Sequence, residues 1–531
     1  AQFKHLFSPI TVGAMTLKNR IVVPGHATLL MPLDGMPTER ILRYWQSKAK
    51  GGAALIITHV HNVMPYQGNG PQTALQTEKG IDAYMKIADE LHKKDVKFLL
   101  QISHMGGSTN SQLHGGGIIG PSAGPSKVVS KLLPSGVETV HEMDIGEINA
   151  VVTAFRETAA FASKAGFDGV EIQGAAYFML AQFMNPNINR RRDEYGGSLN
   201  NRLRFVLEVI GATRTGIGAE KTVGIRLSGD EMSDDGLKLS DMLEIAPKLE
   251  ETGQLDFIHV MAGPGSAALV PPSYYKPGSL VYLTEALRQV ITLPLICSQR
   301  INSPMMAEEV LAKGVADLVA MNRPLMADPD MPNKAKKGLI DEIRGCIACN
   351  DCVARVGAGL PIACTVNPEM GREQELPLLP TKEPKRIMIV GGGPAGLEAA
   401  RVAALRGHTV SLYEQGPELG GQCLLASRAP GRGDFNEVLR YYKYQMELLG
   451  VSVHLKTKAV PGIILGENPD ELVIATGSYP LMPDLSSSVI PVVDIRAVLA
   501  GEVEVTPPQN VVVLAGEHHI QALSTAEFLG D

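Results

Sequence analysis

Four cysteines stand close together in the second half of the chain: Cys346, Cys349 and Cys352 at three-residue intervals, then Cys364 after eleven further residues. Thiolates three residues apart can be presented by one tight turn to a single inorganic centre. Zinc favours paired arms of similar shape, whereas three bunched ligands and one remote ligand suit an iron–sulfur cubane. The pattern therefore points to a cluster, with zinc and a purely structural role as alternatives. The other two cysteines, Cys297 and Cys423, read as small buried hydrophobes. Six cysteines in 531 residues do not make a disulfide framework.

A second run with chemistry in it is Gly391-Gly392-Gly393-Pro394-Ala395-Gly396. It follows a strand pattern, Arg386–Val390, and opens a helical one, Leu397–Leu405. A second strand pattern, Thr409–Tyr413, ends at Glu414, 23 residues after the first glycine. In that context the spacing is specific. Gly391, Gly393 and Gly396 let backbone amides approach a pyrophosphate at a helix N-terminus, and Glu414 can hold a ribose. Ala475-Thr476-Gly477 closes a later strand of the same domain. From Asn510 a further strand-and-helix unit is expected, with its strand over Val511–Ala515. Where a second glycine motif would stand it has Gly516-Glu517-His518-His519, whose bulk would hinder a phosphate. One such unit cannot bury its own faces, so residues 508–531 read as the start of a further nucleotide-type domain of a longer chain.

The elements that must position the rest lie in the first 320 residues, where short apolar runs alternate with helical patterns such as Ile81–Lys94 and Ile148–Ala165. Eight runs read as buried strands: Ile21–Val23, Ala54–Thr58, Lys97–Gln101, Gly169–Ile172, Val223–Leu227, Phe257–Val260, Leu293–Ile296 and Asp317–Ala320. Continuous apolar strands separated by helices imply a parallel α/β sheet, and eight such units close as a (β/α)8 barrel. Gln101, Gln173, Arg226, Arg300 and Arg323 all fall at strand ends, where such a barrel builds its site. The expected boundaries are a barrel over 1–335, a cysteine segment over 336–375, a dinucleotide domain over 376–507 entered through the Pro-rich linker Leu376–Pro384, and the start of another domain over 508–531. Apolar residues at 44% and charged residues at 20% describe a globular chain. Its 49 Lys and Arg against 56 Asp and Glu give a net charge of −7, without the basic excess of a nucleic-acid binder. No apolar run reaches ~18 residues, and no secretory leader is legible from Ala1 to His5, so no membrane span is expected and the cytoplasm is the default.

Three further stretches carry a resemblance. Phe7-Ser8-Pro9-Ile10 with Leu17-Lys18-Asn19-Arg20, the run from Asp193 to Arg202, and Asn322-Arg323-Pro324 with Ala327-Asp328-Pro329 resemble the Old Yellow Enzyme barrel. With the cysteines and the glycine motif, essentially the whole chain resembles the multidomain branch containing 2,4-dienoyl-CoA reductase, enoate reductases and trimethylamine dehydrogenase. The resemblance implies FMN at the barrel mouth. Gly25, His26 and Ala27 would lie along the isoalloxazine, Gln101 on the pyrimidine edge and Arg226 beside N1. Arg300, Arg323 and the backbone of Asn322 would hold the phosphate. It also implies a [4Fe-4S] cluster on Cys346, Cys349, Cys352 and Cys364 that passes single electrons. FAD, or only ADP, would occupy the Gly391 domain, with Gly393, Gly396, Glu414 and Gln422 at the cofactor. Ala27 stands where trimethylamine dehydrogenase has its flavin-linking cysteine, so a non-covalent FMN is expected.

The sequence departs from simple ene reductases at the substrate. They place His, His or Asn, and Tyr at the positions of Gln173, Ala176 and Phe178. Gln173 keeps a hydrogen-bond donor; the phenol is missing. Tyr177 is adjacent, though neighbouring strand residues face opposite ways. His26 and Tyr177 are the candidate acids, His104 is a further donor, and a histidine used by dienoyl-CoA reductase falls near Gly265. Tyr274-Tyr275-Lys276-Pro277 is expected to wall the pocket. The leading expectation is reduction of an activated C=C bond in an enoate or an enoyl- or aryl-CoA thioester. NAD(P)H would feed FAD, cluster and FMN in turn, hydride would leave N5, and Gln173 would polarise the carbonyl. The alternative is a dehydrogenase or N-demethylase of a methylated amine, passing electrons outward to an electron-transfer protein. The degenerate glycines near Gly516 and the missing phenol favour it; the Tyr274 run and the single tryptophan, Trp45, oppose it. A binding module with a dead barrel is disfavoured by intact Gln101, Arg226 and Arg323. The expected partners are a small-molecule substrate and other copies of the chain in a symmetric oligomer, with no nucleic acid or membrane.

Overall fold

The computed structural model describes residues 2–32, 35–64, 74–108, 117–125, 138–176, 178–264, 268–482, 490–503, 510–515 and 521–530. Tyr177, Gly265 and the run Gly516–His519 lie outside the described residues. By compactness the chain divides into two units. The first comprises Ala1–Pro272, Pro277–Gly338 and Asn350–Glu375; the second comprises Ser273–Lys276, Leu339–Cys349 and Leu376–Asp531. The cysteine segment is thus shared, with Cys346 and Cys349 in the second unit and Cys352 and Cys364 in the first.

In the first unit, eight parallel strands close a barrel in sequence order. They are β1 (Ile21–Val23), β2 (Leu55–Asn62), β3 (Lys97–Ser103), β4 (Gly169–Gln173), β5 (Thr222–Asp230), β6 (Phe257–Ala262), β7 (Leu295–Ser298) and β8 (Leu318–Ala320). Each is almost wholly buried, because helices cover the outside and side chains fill the inside. Several run further than their apolar cores. β5 extends to Asp230, with an irregularity against β6 between Ser228 and Asp230. β7 begins only at Leu295: Pro294 has no N–H for the ladder, and its carbonyl alone pairs, with Ile258 N–H at 3.0 Å.

A hairpin, Ile10–Val12 with Met15–Leu17, closes the N-terminal end of the barrel. Val12, Met15 and Leu17 join Val22, Leu55, Leu99, Phe257 and Leu318 in one apolar cluster. Arg20 clamps that end by donating to Ser8 Oγ and to the Asp317 carbonyl. With the lower mouth plugged by apolar side chains, polar groups are left to the C-terminal mouth. The helices on the outside start on proper caps: Thr38, Thr77, Ser198 and Ser303 accept amide hydrogens, and Asp144 forms a capping box with Glu147.

The second unit holds a four-stranded parallel sheet in the order β11-β10-β9-β12. These are β9 (Arg386–Val390), β10 (Thr409–Tyr413), β11 (Ser452–His454) and β12 (Glu471–Ile474). A helix over Pro394–Leu405 connects β9 to β10; it begins three residues before the expected Leu397, with Pro394 in its first turn, where the missing N–H costs nothing. Residues 377–380 of the Pro-rich stretch have no regular structure. The strand expected at Val511–Ala515 does not form: those residues are irregular and Val512 is 90% exposed, whereas the helix after it, Gln521–Gly530, is present. A strand needs a neighbour to take its hydrogen bonds, and among the described residues none pairs here. No described helix is long and apolar enough to cross a membrane.

Candidate functional site

The site grows from β4. Alternate residues of a strand share a face, so Glu171 and Gln173 both point into the barrel, Gln173 nearer the C-terminal mouth. Lateral register sets Gln101 beside Glu171, Arg226 beside Gln173 and His259 beside Arg226. The Glu171 carboxylate is fully buried and holds three partners. Gln101 Nε2 donates to Oε1 at 2.6 Å, His259 Nδ1 meets Oε2 at 2.7 Å, and Arg226 Nε lies 3.4 Å from Oε1. Burial pushes the carboxyl upward, but Arg226, His259 and Gln101 outweigh it and hold its pKa at about 2. Burial, with Arg226, lowers the His259 pKa, so the imidazole is neutral.

An ionised carboxylate only accepts, which fixes the polarity of its neighbours. His259 Nδ1 stands between the Glu171 carboxylate at 2.7 Å, which only accepts, and Arg226 Nε at 3.2 Å, which only donates; the shorter contact assigns a proton to Nδ1, donated to Glu171. The amide of Gln101 turns its NH2 toward Glu171 and leaves Oε1 as its uncommitted acceptor. Arg226 also donates through Nη1 to the Gly25 carbonyl at 3.1 Å. Gly25 lies so close to this group that a Cβ would stand 2.5 Å from the Thr58 carbonyl oxygen and 2.8 Å from the Gln101 amide. Sequence reasoning missed Glu171 and His259. The signal was a charged residue in phase with Gln173 inside an apolar strand.

His26 is half-buried and both ring nitrogens are engaged. Nδ1 meets the Pro24 carbonyl at 2.8 Å and Nε2 meets the Tyr44 hydroxyl at 2.7 Å. A carbonyl accepts, so Nδ1 carries the proton and Nε2 accepts from Tyr44. Burial, with nearby Lys48, His59 and Arg226, lowers its pKa to about 3 against the opposing Pro24 bond. A neutral imidazole with its one N–H on a backbone carbonyl has no proton to give a substrate at neutral pH. Beneath it Lys48 is buried with its ammonium 3.5 Å from the Tyr44 ring centre, and burial lowers its pKa to about 8. Ala27 is exposed beside His26.

Gln173 is oriented by its own turn. Its Oε1 accepts the Ala175 N–H at 3.1 Å, so its NH2 is the end left to donate. Ala176 adopts a left-handed backbone (φ 58°), held by its N–H on Ser228 Oγ at 3.0 Å. His104 is buried next to this turn; its Nδ1 accepts the Gly106 N–H at 3.0 Å, which puts its proton on Nε2. Tyr177 lies outside the described residues. Tyr274 and Tyr275 group with the second unit, where a Cβ on Gly431 would stand 3.3 Å from the Tyr274 Cβ.

Beyond β7, Gln299 and Arg300 are both left-handed (φ 72° and 57°), and Arg300 is buried. Gln299 holds the bend with bonds to Ala262, Ala268 and Leu269. Beyond β8, Asn322 opens a short helix, and its buried Oδ1 has no hydrogen-bond partner among the described residues. Arg323 donates through Nη1 to Asn350 Oδ1 at 2.6 Å. The structure thus brings Gly25, Gln101, Gln173 and Arg226 together at one mouth, with Arg300, Asn322 and Arg323 following the last two strands.

Of the cysteines, Cys346 accepts the Ala348 N–H at 3.4 Å, made possible by a left-handed Ala348 (φ 48°). Asn350 is also left-handed (φ 59°) and precedes the short helix carrying Cys352. Among the described residues no group of three or more His, Cys, Asp or Glu is arranged around a single metal ion. A cubane differs, because each iron takes its own thiolate.

In the second unit Gly391 has φ 110° and its Cβ would stand 2.3 Å from the Ala475 oxygen; a Cβ on Gly396 would stand 2.0 Å from the Gly391 oxygen. A Cβ on Gly393 would meet nothing nearer than Gly421 Cα at 4.0 Å. Two glycines therefore serve packing, while the third leaves open space at the helix N-terminus. Glu414 accepts the N–H groups of Gly392 and Gly416, each at 2.7 Å. Gln422, exposed, starts the short helix Gln422–Ala426, and its Nε2 reaches the Ser478 carbonyl at 3.4 Å.

Residues 5–342 match the family described as NADH:flavin oxidoreductase / NADH oxidase, and residues 385–514 match pyridine nucleotide-disulphide oxidoreductase. Among similar proteins, an NADH oxidase of Thermoanaerobacter brockii is 37% identical, with 100% of this chain and 81% of that protein covered. An N,N-dimethylglycine/sarcosine dehydrogenase of Chromohalobacter salexigens is 35% identical, with 100% and 78% covered. The solved structure of 2-naphthoyl-CoA reductase with 2-naphthoyl-CoA superposes with a TM-score of 0.88 at 28% identity, covering 95% of this chain and 78% of that one.

Proposed function

From the premise that the chain belongs to the NADH:flavin oxidoreductase / NADH oxidase family, and so is a flavin-dependent oxidoreductase, we propose that it reduces an activated C=C bond in an enoate or acyl-CoA thioester at the expense of NAD(P)H. The observation that carries this reading is Gln173. Its oxygen is taken by the Ala175 amide, so it presents a fixed NH2 into the barrel mouth, suited to a substrate carbonyl on which negative charge develops.

The residues at the mouth fit a non-covalent FMN. Gln101 offers an acceptor and Arg226 a cation on the side where Gly25 permits close backbone approach. Arg300 and Arg323 follow the last two strands, where barrels of this type hold phosphates, and their guanidinium groups are donors suited to one. Bound there, FMN would supply hydride transfer. The open space at Gly393, at the positive end of the helix, fits the pyrophosphate of FAD or ADP, and Glu414 keeps lone pairs for a ribose. Cys346, Cys349, Cys352 and Cys364 are the set for a [4Fe-4S] cluster, and the Ala348 amide aimed at the Cys346 sulfur suits a thiolate ligand. With His26 committed to Pro24 and Tyr44, it acts as a packing and orienting group, and the substrate proton comes from Tyr177 or from solvent.

A second reading is oxidation of a methylated amine with export of electrons. The dimethylglycine/sarcosine dehydrogenase similarity and the absent phenol at Phe178 favour it. Anaerobic mixing of the holoprotein with NADH and with NADPH, followed by flavin absorbance, separates the two. Rapid bleaching, reversed by an enoate or enoyl-CoA, is the result expected. Bleaching by neither nicotinamide, but by a methylated amine, would establish the second reading.

A further inference from the structure

The carboxylate at the floor of the site is chemically idle in the reaction proposed above, yet it is buried and held by three side chains. Glu171 is completely buried, is held ionised, and contacts both side chains best placed for a flavin's pyrimidine edge. We propose that Glu171, locked by His259, is the positioning residue that sets the reduction potential of the barrel flavin. It does so by fixing which end of the Gln101 amide faces the ring and by offsetting the charge of Arg226. This rests on the reading that the barrel binds FMN.

Two geometric facts carry it. First, a carboxylate cannot donate, so the 2.6 Å contact leaves Gln101 only one orientation, with Oε1 turned outward as an acceptor for a ring N–H. Without that constraint the amide can flip and present a donor to the same N–H. Second, transfer of a hydride adds two electrons and one proton to the ring and leaves one negative charge on the N1 side. A guanidinium there favours the reduced form. Its field is opposed by a carboxylate 3.4 Å from Nε, which cannot be screened by water in this interior. The His259 Nδ1 bond at 2.7 Å keeps the carboxylate in place and, being from a neutral ring, adds no charge of its own. Glu171 therefore holds the potential below what Arg226 alone would give, so that bound flavin still passes hydride on to substrate.

The test is the midpoint potential of the flavin in wild-type holoprotein, Glu171→Gln and Glu171→Asp, by anaerobic equilibration with a reference dye, with flavin content measured alongside. Glu171→Gln removes the charge and is expected to make reduction at least tenfold more favourable, about 30 mV for a two-electron couple. Glu171→Asp withdraws the charge from Arg226 and is expected to shift the same way by at least threefold. If the Gln variant fails to hold flavin or to fold, the Asp variant decides alone. A flavin-loaded variant whose potential stays within twofold of wild type, or falls, overturns the proposal. A wild-type protein purified without flavin overturns the FMN reading instead.

Discussion

Replacing Gly393 by alanine is expected to weaken nucleotide binding by the second unit without disturbing its fold. Gly393 caps the helix Pro394–Leu405 with extended backbone (φ −78°, ψ 177°), which any residue adopts. A Cβ built there stands 4.0 Å from its nearest neighbour, Gly421 Cα. Its effect on folding is therefore neutral or a gain of about 0.4–1 kcal/mol from the stiffer unfolded chain. The same methyl occupies the space through which backbone amides reach a pyrophosphate. Losing one charge-assisted hydrogen bond costs about 1.5–3 kcal/mol, or roughly 10- to 150-fold in affinity. Gly396→Ala is the contrasting control. Its Cβ would stand 2.0 Å from the Gly391 carbonyl oxygen, so helix and loop must part, at a cost of about 1–3 kcal/mol. Nucleotide released on denaturation, with Kd by titration calorimetry and Tm by scanning calorimetry, distinguishes the two. A Gly393→Ala protein with native nucleotide content and affinity would refute the assignment of this loop. So would one whose Tm falls as far as that of Gly396→Ala.

Three other outcomes are expected. Gln173→Leu deletes the donor NH2 while keeping the bulk, and should lower kcat for C=C reduction by about 10²-fold with bleaching by NAD(P)H unchanged; an unchanged kcat would remove Gln173 from the chemistry. His26 has a folded pKa of about 3, below its unfolded value, so its contribution to stability is complete above pH 6.5 and is lost as pH falls from there toward 3. Melting temperatures from pH 7 to pH 4 should drop less steeply in His26→Gln than in wild type, and parallel curves would contradict the neutral assignment. Cys364→Ser should lose iron and acid-labile sulfide by elemental analysis, whereas Cys423→Ser, outside the cluster set, should retain both.

Some of this was legible because local rules carry it. The eight barrel strands announced themselves as apolar runs, since burial on both faces leaves no alternation to confuse them. The glycine loop was legible because its demands are local: Gly391 and Gly396 touch residues a few positions away or on the adjoining strand. The strand expected at Val511–Ala515 failed for the complementary reason. Its composition was right, but a strand exists only where another supplies hydrogen bonds. His26 read as an acid because its segment was recognisable, while the Tyr44 hydroxyl that occupies its second nitrogen sits on the next helix, with nothing in the sequence to pair them.

By itself, then, the sequence determined the two nucleotide-handling architectures, the family and the spacing of the four cysteines, because periodicity, turn chemistry and ligand spacing act over short distances along the chain. Only the tertiary structure decided the electrostatics of the site. Glu171 lies 70 residues from Gln101 and 88 from His259, and closure of the barrel across β3, β4, β5 and β6 makes them neighbours. Charge and hydrogen-bond polarity depend on distance through space in a medium that water does not reach, and that distance is set by strand register rather than by position in the chain.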